Sequence, residues 1–297
     1  MTALFIPCYY DGLGRQTGSA RIRAEWVCRY WDGAEVYDGS QRFGGYDLYV
    51  FQKAYLTKQT QAWIRTVAWW RNGGPCRLAF DLCDPDFLDA EHERRLLSVL
   101  PLFDFAVAPT QLLVDWLERW LPAYVIPDRV DLGEVRGRKR PTDTGKPSLV
   151  WFGYAHNAVT LKILLSPFIE HVGLPLTIVA ERAPSVEWFE RYEAVRFVPW
   201  ARETVNDVIL EHDIVLNPRL PEAPWCYKSD NKTVHVWALG MPVAQTVEDL
   251  TRFLDPQERA SEGEARYREV REKWDVKLSV AQWQEIAFDE SSRSVQR

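Results

Sequence analysis

The chain has 297 residues, of which 46% are hydrophobic and 26% charged, and its formal net charge is −6. This length suffices for two domains, and the composition is that of a folded globular protein. The acidic balance argues against nonspecific binding along DNA or to an anionic membrane surface. No run of 18 apolar residues occurs, so we expect no membrane span. The five cysteines form no C-x-x-C pair and no signal peptide is recognisable, which together favour a cytoplasmic protein with reduced thiols.

Strand-like and helix-like segments alternate through the first part of the chain. The predicted strands cover 3–9, 46–52, 77–80, 105–108 and 123–126, and the predicted helices cover 19–31, 58–70, 91–102 and 111–121. A glycine-containing loop at 12–18 follows the first strand. Such alternation predicts a parallel sheet with helices on both faces, and we assign residues 1–131 to a first Rossmann-like domain.

The composition changes at residue 132. Residues 132–147 are rich in glycine, proline and charge, contain the basic run 136–140, and are the predicted linker. A second series of strands and helices follows, so we assign 148–276 to a second Rossmann-like domain. Residues 277–297 are predicted to form a C-terminal helix that returns to the first domain, followed by a tail.

The most informative stretch is 228–243, which is typical of a phosphate-holding loop followed by a short helix and a strand. Ser229 or Asp230 can cap the helix, and Gly240 can end it in the left-handed conformation. Lys232 lies in the first helical turn, where the backbone N–H groups and the helix dipole already favour an anion. His235 is three residues further on and shares the same helix face. The pattern therefore predicts a nucleotide site.

Four motifs together resemble those of retaining GT-B glycosyltransferases of the family 4 type, including the compact viral enzymes. They are Val-Ile-Pro-Asp-Arg-Val-Asp at 125–131, Val-Trp-Phe-Gly at 150–153, Phe-Val-Pro-Trp at 197–200, and 228–243, which is similar to the family's K-S-x-N-K-x-x-E-x-x-A-x-G-x-P-V donor segment. The resemblance implies an α/β fold of two Rossmann-like domains with parallel sheets facing a central cleft. It also implies that the first domain binds the acceptor and the second the nucleotide sugar. His235 stands where the family usually has a glutamate associated with the donor ribose hydroxyls.

The resemblance and the strand ends together give a set of candidate site residues. The donor candidates are Gly14, Gly153, Glu181, Trp200, Arg219, Lys228, Ser229, Asn231, Lys232 and His235. The acceptor candidates are Arg21 and Arg23, and the catalytic candidates are Asp81, Asp84 and His156. Asp81 or Asp84 would deprotonate an acceptor hydroxyl or stabilise positive charge in the transition state, although Asp84 is also placed to cap a helix. We expect no metal site and no cofactor besides the sugar nucleotide, because no metal-ligand cluster stands out and the GT-B enzymes that the chain resembles usually hold the diphosphate without a bound metal.

The function implied is transfer of a sugar from a nucleotide-sugar donor, which we expect to be UDP-linked, to an acceptor hydroxyl on a saccharide or lipid-linked glycan. One alternative is a DNA glycosyltransferase that acts on 5-hydroxymethylated bases of viral DNA, in which the basic run 136–140 would meet phosphates. Two others are a non-catalytic nucleotide-sugar-binding module and a sugar-nucleotide epimerase.

Overall fold

The computed structural model describes residues 1–7, 17–71, 76–143, 145–164, 173–185 and 194–288. The chain divides into two compact units. The first unit comprises Met1–Asp131, Glu222–Ser229 and Val276–Arg297, and the second comprises Leu132–Pro221 and Asp230–Asp275. Among the described residues, no helix is both long enough and apolar enough to cross a membrane.

The first unit is built on a six-stranded parallel sheet. Its strands are β1 (Ala3–Ile6), β2 (Ala34–Val36), β3 (Leu48–Gln52), β4 (Arg77–Asp81), β5 (Phe105–Ala108) and β6 (Ala123–Val125), in the order β2-β1-β3-β4-β5-β6. All residues of β1, β3 and β5 are buried, as expected for strands covered by helices on both faces. The sheet therefore has the doubly covered arrangement that the alternating segments predict.

The helical segments of the first unit follow the strands in sequence. They are Gly18–Ala20, a π-helical turn Arg21–Glu25, Trp26–Tyr30, Lys58–Trp70, Asp86–Leu88, Ala90–Leu97, Leu100–Leu102, Gln111–Leu117, Trp225–Tyr227 and Val276–Phe288. Side-chain caps fix where several of them begin: Thr57 accepts from the Thr60 amide, and Asp89 accepts from the amides of Glu91 and His92.

The second unit has a five-stranded parallel sheet. Its strands are β7 (Leu149–Phe152), β8 (Leu176–Ala180), β9 (Val195–Pro199), β10 (Ile214–Leu216) and β11 (Val243–Ala244), in the order β11-β10-β7-β8-β9. Its helical segments are Ala155–Leu161, Val205–Leu210, Asn231–Ala238, Val247–Arg252 and Pro256–Lys273. From β7 the chain proceeds outward through β8 and β9, and β10 and β11 lie on the other side. The strand order thus reverses between β7 and β10.

Alternate residues of β7 pack into two separate hydrophobic cores, one on each face of the sheet. Trp151 packs with Ile178 and Phe253 on one face of the sheet, whereas Val150 packs with Val179 on the other. Successive side chains of a strand point to opposite faces, so one short apolar strand serves both layers. The predicted fold class, α/β with two Rossmann-like parallel sheets, is confirmed.

The observed units differ from the predicted domains in two places. The predicted linker 132–147 belongs to the second unit and packs against it: the Lys139 amide donates to the Leu239 carbonyl over 2.8 Å. Gly137 has φ +83°, and a Cβ there would lie 2.6 Å from the Leu210 side chain. The segment Glu222–Ser229, predicted to be in the second domain, groups with the first unit instead.

Candidate functional site

The carboxyl ends of β7 and β10 meet at the point where the strand order of the second unit reverses. Gly153 follows β7, Asn217 follows β10, and the helix Asn231–Ala238 begins after Asp230. Open α/β sheets bind their ligands at this position, outside the carboxyl ends of the strands. The predicted helix end is also present, since Gly240 follows the helix with φ +72°.

The Lys232 ammonium lies beside the end of β7. Its Nζ is 5.0 Å from the ring centre of Trp151 and 5.8 Å from that of Phe152. A Cβ at position 153 would lie only 2.2 Å from Nζ, so the ammonium occupies space that Gly153 leaves open. The structure therefore brings these two predicted donor residues together, with a cation in the first turn of the helix, where an anion is already favoured.

His235 lies on the same face of the helix as Lys232. Its ring centre is 6.3 Å from that of Phe152, and its Nε2 is 2.7 Å from Oδ1 of Asn206. An amide oxygen only accepts, so Nε2 donates and Nδ1 of the neutral ring is an acceptor. Asn206 belongs to the helix Val205–Leu210 and was not among the predicted site residues. The pair presents an oriented imidazole beside the cation.

Residues that follow β10 and β11 hold the start of this helix. Arg219 forms an ion pair of 2.6 Å with Asp230, the N-cap residue. The side-chain amides of Asn217 and Gln245 both donate to the Thr233 hydroxyl, over 2.9 and 3.2 Å. Asn231, a predicted donor residue, is the first residue of the helix. Residues at two strand ends thus fix the start of the helix, and Arg219 adds a second cation there.

The loops after β7, β8 and β9 contain the other predicted residues of this unit. The Glu181 carboxylate accepts from the Ala155 amide over 2.9 Å, which ties two loops together. His156 is exposed and its ring stacks on that of Tyr154 at 5.9 Å. Trp200 is half-buried against the hydrophobic cluster that contains Val150. These contacts give Glu181 and Trp200 local structural roles in the protein.

In the first unit, Asp81 and Arg23 form a buried ion pair. Arg23 Nε lies 2.8 and 2.9 Å from the two carboxylate oxygens, and its Nη1 donates to the Ile126 carbonyl and, over 2.6 Å, to Asp128. Asp81 is 1% exposed and Arg23 4%. Burial raises the pKa of Asp81 to about 6, and the guanidinium opposes that rise.

Arg23 was predicted to bind the acceptor. Its guanidinium is buried and bonded to two carboxylates, and its role in acceptor binding stays a prediction. Both oxygens of Asp81 accept from Arg23, so its environment is that of a structural anchor, and its role in proton transfer stays a prediction. The Arg21 guanidinium lies 5.5 Å from the ring of Trp26. Gly14 lies outside the described residues.

Lys228 and Ser229 belong to the first unit and bind acidic residues there. Lys228 is ion-paired with Asp84, and the Ser229 hydroxyl donates to Asp128 over 2.5 Å. Lys53 pairs with Asp84 over 2.6 Å. Burial disfavours the charged form of Asp84, but the two lysines outweigh it and lower the carboxyl pKa below its ordinary value. Lys228, predicted to bind the donor, is therefore engaged by an acidic residue predicted to be catalytic.

Within the described ranges, no group of three or more histidine, cysteine or acidic side chains is arranged to hold a metal ion. Cys28, Cys76, Cys83 and Cys226 all carry free thiols.

Comparison with known proteins gives matches among solved structures. No family model matches the sequence, and no curated protein does. The Anabaena protein HepE in complex with UDP-glucose matches with a TM-score of 0.63 at 15% identity, over 96% of this chain and 99% of that one. An alpha-glucosyltransferase in complex with UDP and a 13-mer DNA matches with a TM-score of 0.64 at 10% identity, over 96% and 98%. TarM matches with a TM-score of 0.58 at 9% identity, over 81% and 54%.

These structures are GT-B glycosyltransferases, and the first two match over nearly their whole length. The chain has the GT-B fold that its motifs predicted.

Proposed function

We propose that this protein is a glycosyltransferase that moves a sugar from a nucleotide-sugar donor to an acceptor hydroxyl, with the donor on the second unit. The observation that carries the proposal is the position of Lys232. Its ammonium lies against Gly153 at the strand-order reversal, in the first turn of the helix Asn231–Ala238. A helix start with a cation at this point of an α/β sheet suits a diphosphate.

The arrangement also suits the chemistry of transfer. As the bond between sugar and diphosphate breaks, negative charge grows on the departing phosphate oxygens. Lys232, Arg219 and the helix N–H groups would stabilise that charge more strongly in the transition state than in the bound donor. Arg219 already lies at the helix start, where it pairs with Asp230 over 2.6 Å.

The imidazole of His235 would contact the donor ribose. Asn206 orients its ring through Nε2, and the proposed contact with a ribose hydroxyl is made through the other ring nitrogen, Nδ1. A carboxylate at this position would accept two such bonds, so this site would hold the ribose by fewer contacts. The proposal of a UDP-linked donor is supported by the solved structures of the same fold that contain UDP or UDP-glucose.

The acceptor is proposed to be a saccharide or lipid-linked glycan, and DNA is the second candidate. The DNA candidate is favoured by one observation, the match over 96% of this chain to a glucosyltransferase solved with DNA. The basic run gives it less support than expected, because Arg138 pairs with Glu264 and Lys139 with Asp213.

The test uses purified protein and a panel of nucleotide sugars with three acceptor pools: soluble saccharides, lipid-linked glycans and DNA containing 5-hydroxymethylated bases. Mass spectrometry of the products identifies the donor and the acceptor together. A glycosyltransferase gives acceptor plus one sugar and free nucleotide diphosphate. Release of an altered sugar nucleotide without acceptor would instead identify an epimerase. Donor binding with neither transfer nor slow hydrolysis would identify a binding module.

A further inference from the structure

A cavity in the second unit lies away from the candidate donor site. It has a volume of about 540 Å³, and six titratable side chains line it: Arg138, Lys139, Arg140, Asp213, Arg259 and Glu264. We call it the amino-edge cavity, because Asp213 directly precedes β10 and Pro242, also in its wall, directly precedes β11. Lys232 lies at the carboxyl ends of the same parallel strands, so the two sites are at opposite edges of the sheet.

The carboxylates of this cavity are already neutralised within its wall. Asp213 accepts from the amide and the hydroxyl of Ser148, both over 2.9 Å, from the Thr142 hydroxyl over 2.5 Å, and from Lys139 over 3.2 Å. Burial opposes its ionisation, but these donors lower the pKa of Asp213 to about 2. Glu264 pairs with both Arg138 and Arg268. Because both carboxylates are already bonded to cations or hydrogen-bond donors, their repulsion of an incoming anion is weakened.

The cations of the cavity keep a surplus of positive charge. Four cationic side chains line it against two carboxylates, which leaves a net charge of +2. Arg259 is 5% exposed and donates to the carbonyls of Phe253, Leu254 and Thr142 over 2.8 to 3.4 Å. Arg138 is stacked on Tyr267, with its guanidinium 3.9 Å from the ring centre. Two of the guanidinium groups are thus held in place before any ligand arrives.

We propose that the amino-edge cavity binds a small phosphate-bearing anion. Guanidinium groups match the geometry of phosphate oxygens, and held groups lose less entropy on binding. A volume of about 540 Å³ falls within the range of small-molecule sites, about 300 to 1,000 Å³. A cavity of this volume suits a phosphorylated small molecule better than the extended backbone of a duplex. The inference also gives a role to the basic run 136–140, which the donor site does not use.

The experiment measures binding of inorganic pyrophosphate by calorimetry in a Lys232→Met background, which removes one of the two cations of the candidate donor site. We expect the background protein to retain one pyrophosphate site. Adding Arg140→Glu, a reversal of charge at an exposed residue, should weaken that site at least tenfold. Adding Arg42→Glu, the same reversal at an exposed residue of the first unit, should leave it unchanged. Circular dichroism melting of each variant confirms that it is folded.

Two results would overturn the inference: loss of all pyrophosphate binding in Lys232→Met alone, or equal binding by the Arg140→Glu and Arg42→Glu proteins. Parallel titrations with adenosine 5′-monophosphate and with a short DNA duplex distinguish the sources of the phosphate. Binding of the monophosphate that depends on Arg140 supports the small-molecule site, whereas Arg140-dependent binding of the duplex alone refutes it. Failure of the donor proposal is seen separately, as UDP affinity that Lys232→Met does not change.

Discussion

Replacing Lys232 by methionine removes the ammonium and keeps most of the apolar stem. Because the side chain packs against the rings of Trp151 and Phe152, methionine can fill the same space without leaving a large void. The substitution therefore tests the charge of the candidate donor site with little effect on the core beneath it. We expect it to weaken binding of UDP while the melting temperature changes little.

The size of the effect follows from the contact that is lost. A hydrogen bond between an ammonium and a phosphate oxygen contributes about 1.5 to 3 kcal/mol net in a partly buried site. Gly153 brings the ammonium close to the backbone at the end of β7, so the contact is partly shielded from water and the upper half of this range applies. At about 1.4 kcal/mol for each factor of ten, the dissociation constant of UDP should rise about 40- to 140-fold.

Isothermal titration calorimetry with UDP, at two salt concentrations, measures this change. The matched control is Lys162→Met, which removes the same charge from an exposed position of the same unit. The control should bind UDP as wild type does, since an exposed lysine away from the strand ends interacts weakly through water. A Lys232→Met protein that binds UDP within threefold of wild type refutes the site, as does a control that loses affinity equally.

Three further predictions concern Gly153, the buried pair and Asp213. Gly153→Ala places a Cβ 2.2 Å from the present position of the Lys232 ammonium, so we expect several-fold weaker UDP binding by calorimetry. The substitution also requires φ +154° of a non-glycine residue, which should lower the free energy of unfolding by about 1 to 2 kcal/mol. Arg23→Met leaves buried carboxylates unpaired and should cost about 3 to 5 kcal/mol in urea unfolding, part of which Asp81→Asn in the same chain should restore. The pKa of Asp213 is lowered to about 2, so its stabilising contribution is complete above pH 4 and is lost as the pH falls toward 2. The stability difference between wild type and Asp213→Asn should therefore shrink over that range, by about 1 kcal/mol once solvent screening is included, and an unchanged difference would contradict this account.

The sequence predicted the sheets and the position of the candidate donor site because both depend on local signals. Apolar runs, caps and Gly240 mark where elements begin and end, and parallel topology then brings the strand ends to one edge. The place of Lys232 in the first helical turn follows from its distance to Asp230 along the chain. Its contact with Gly153 joins two motifs that were recognised separately.

Other features depend on tertiary contacts that leave no local pattern. Arg23 follows a glycine-containing loop and was predicted to bind the acceptor, yet it is buried because Asp81 and Asp128 approach it from distant strand ends. The π-helical turn Arg21–Glu25 in which it lies has no recognisable sequence signal. Asn206 gave no signal either, since an asparagine in an amphipathic helix is usually solvated. Its role appears only once its side chain is seen beside His235.

Lys228 and Lys232 belong to one sequence motif but have different surroundings in the structure. Both lie in the donor-like segment, and proximity in sequence suggested that both neutralise the diphosphate. The structure groups Lys228 with the first unit, where it pairs with Asp84, whereas Lys232 packs on β7 of the second. Removing Lys228 should therefore act through Asp84: with one of its two lysine partners gone, the carboxyl pKa rises toward its ordinary value. If acceptor chemistry requires ionised Asp84, Lys228→Met would shift the acid limb of the pH–rate profile to higher pH and leave the affinity for UDP unchanged. Lys232→Met, in contrast, is expected to weaken UDP binding.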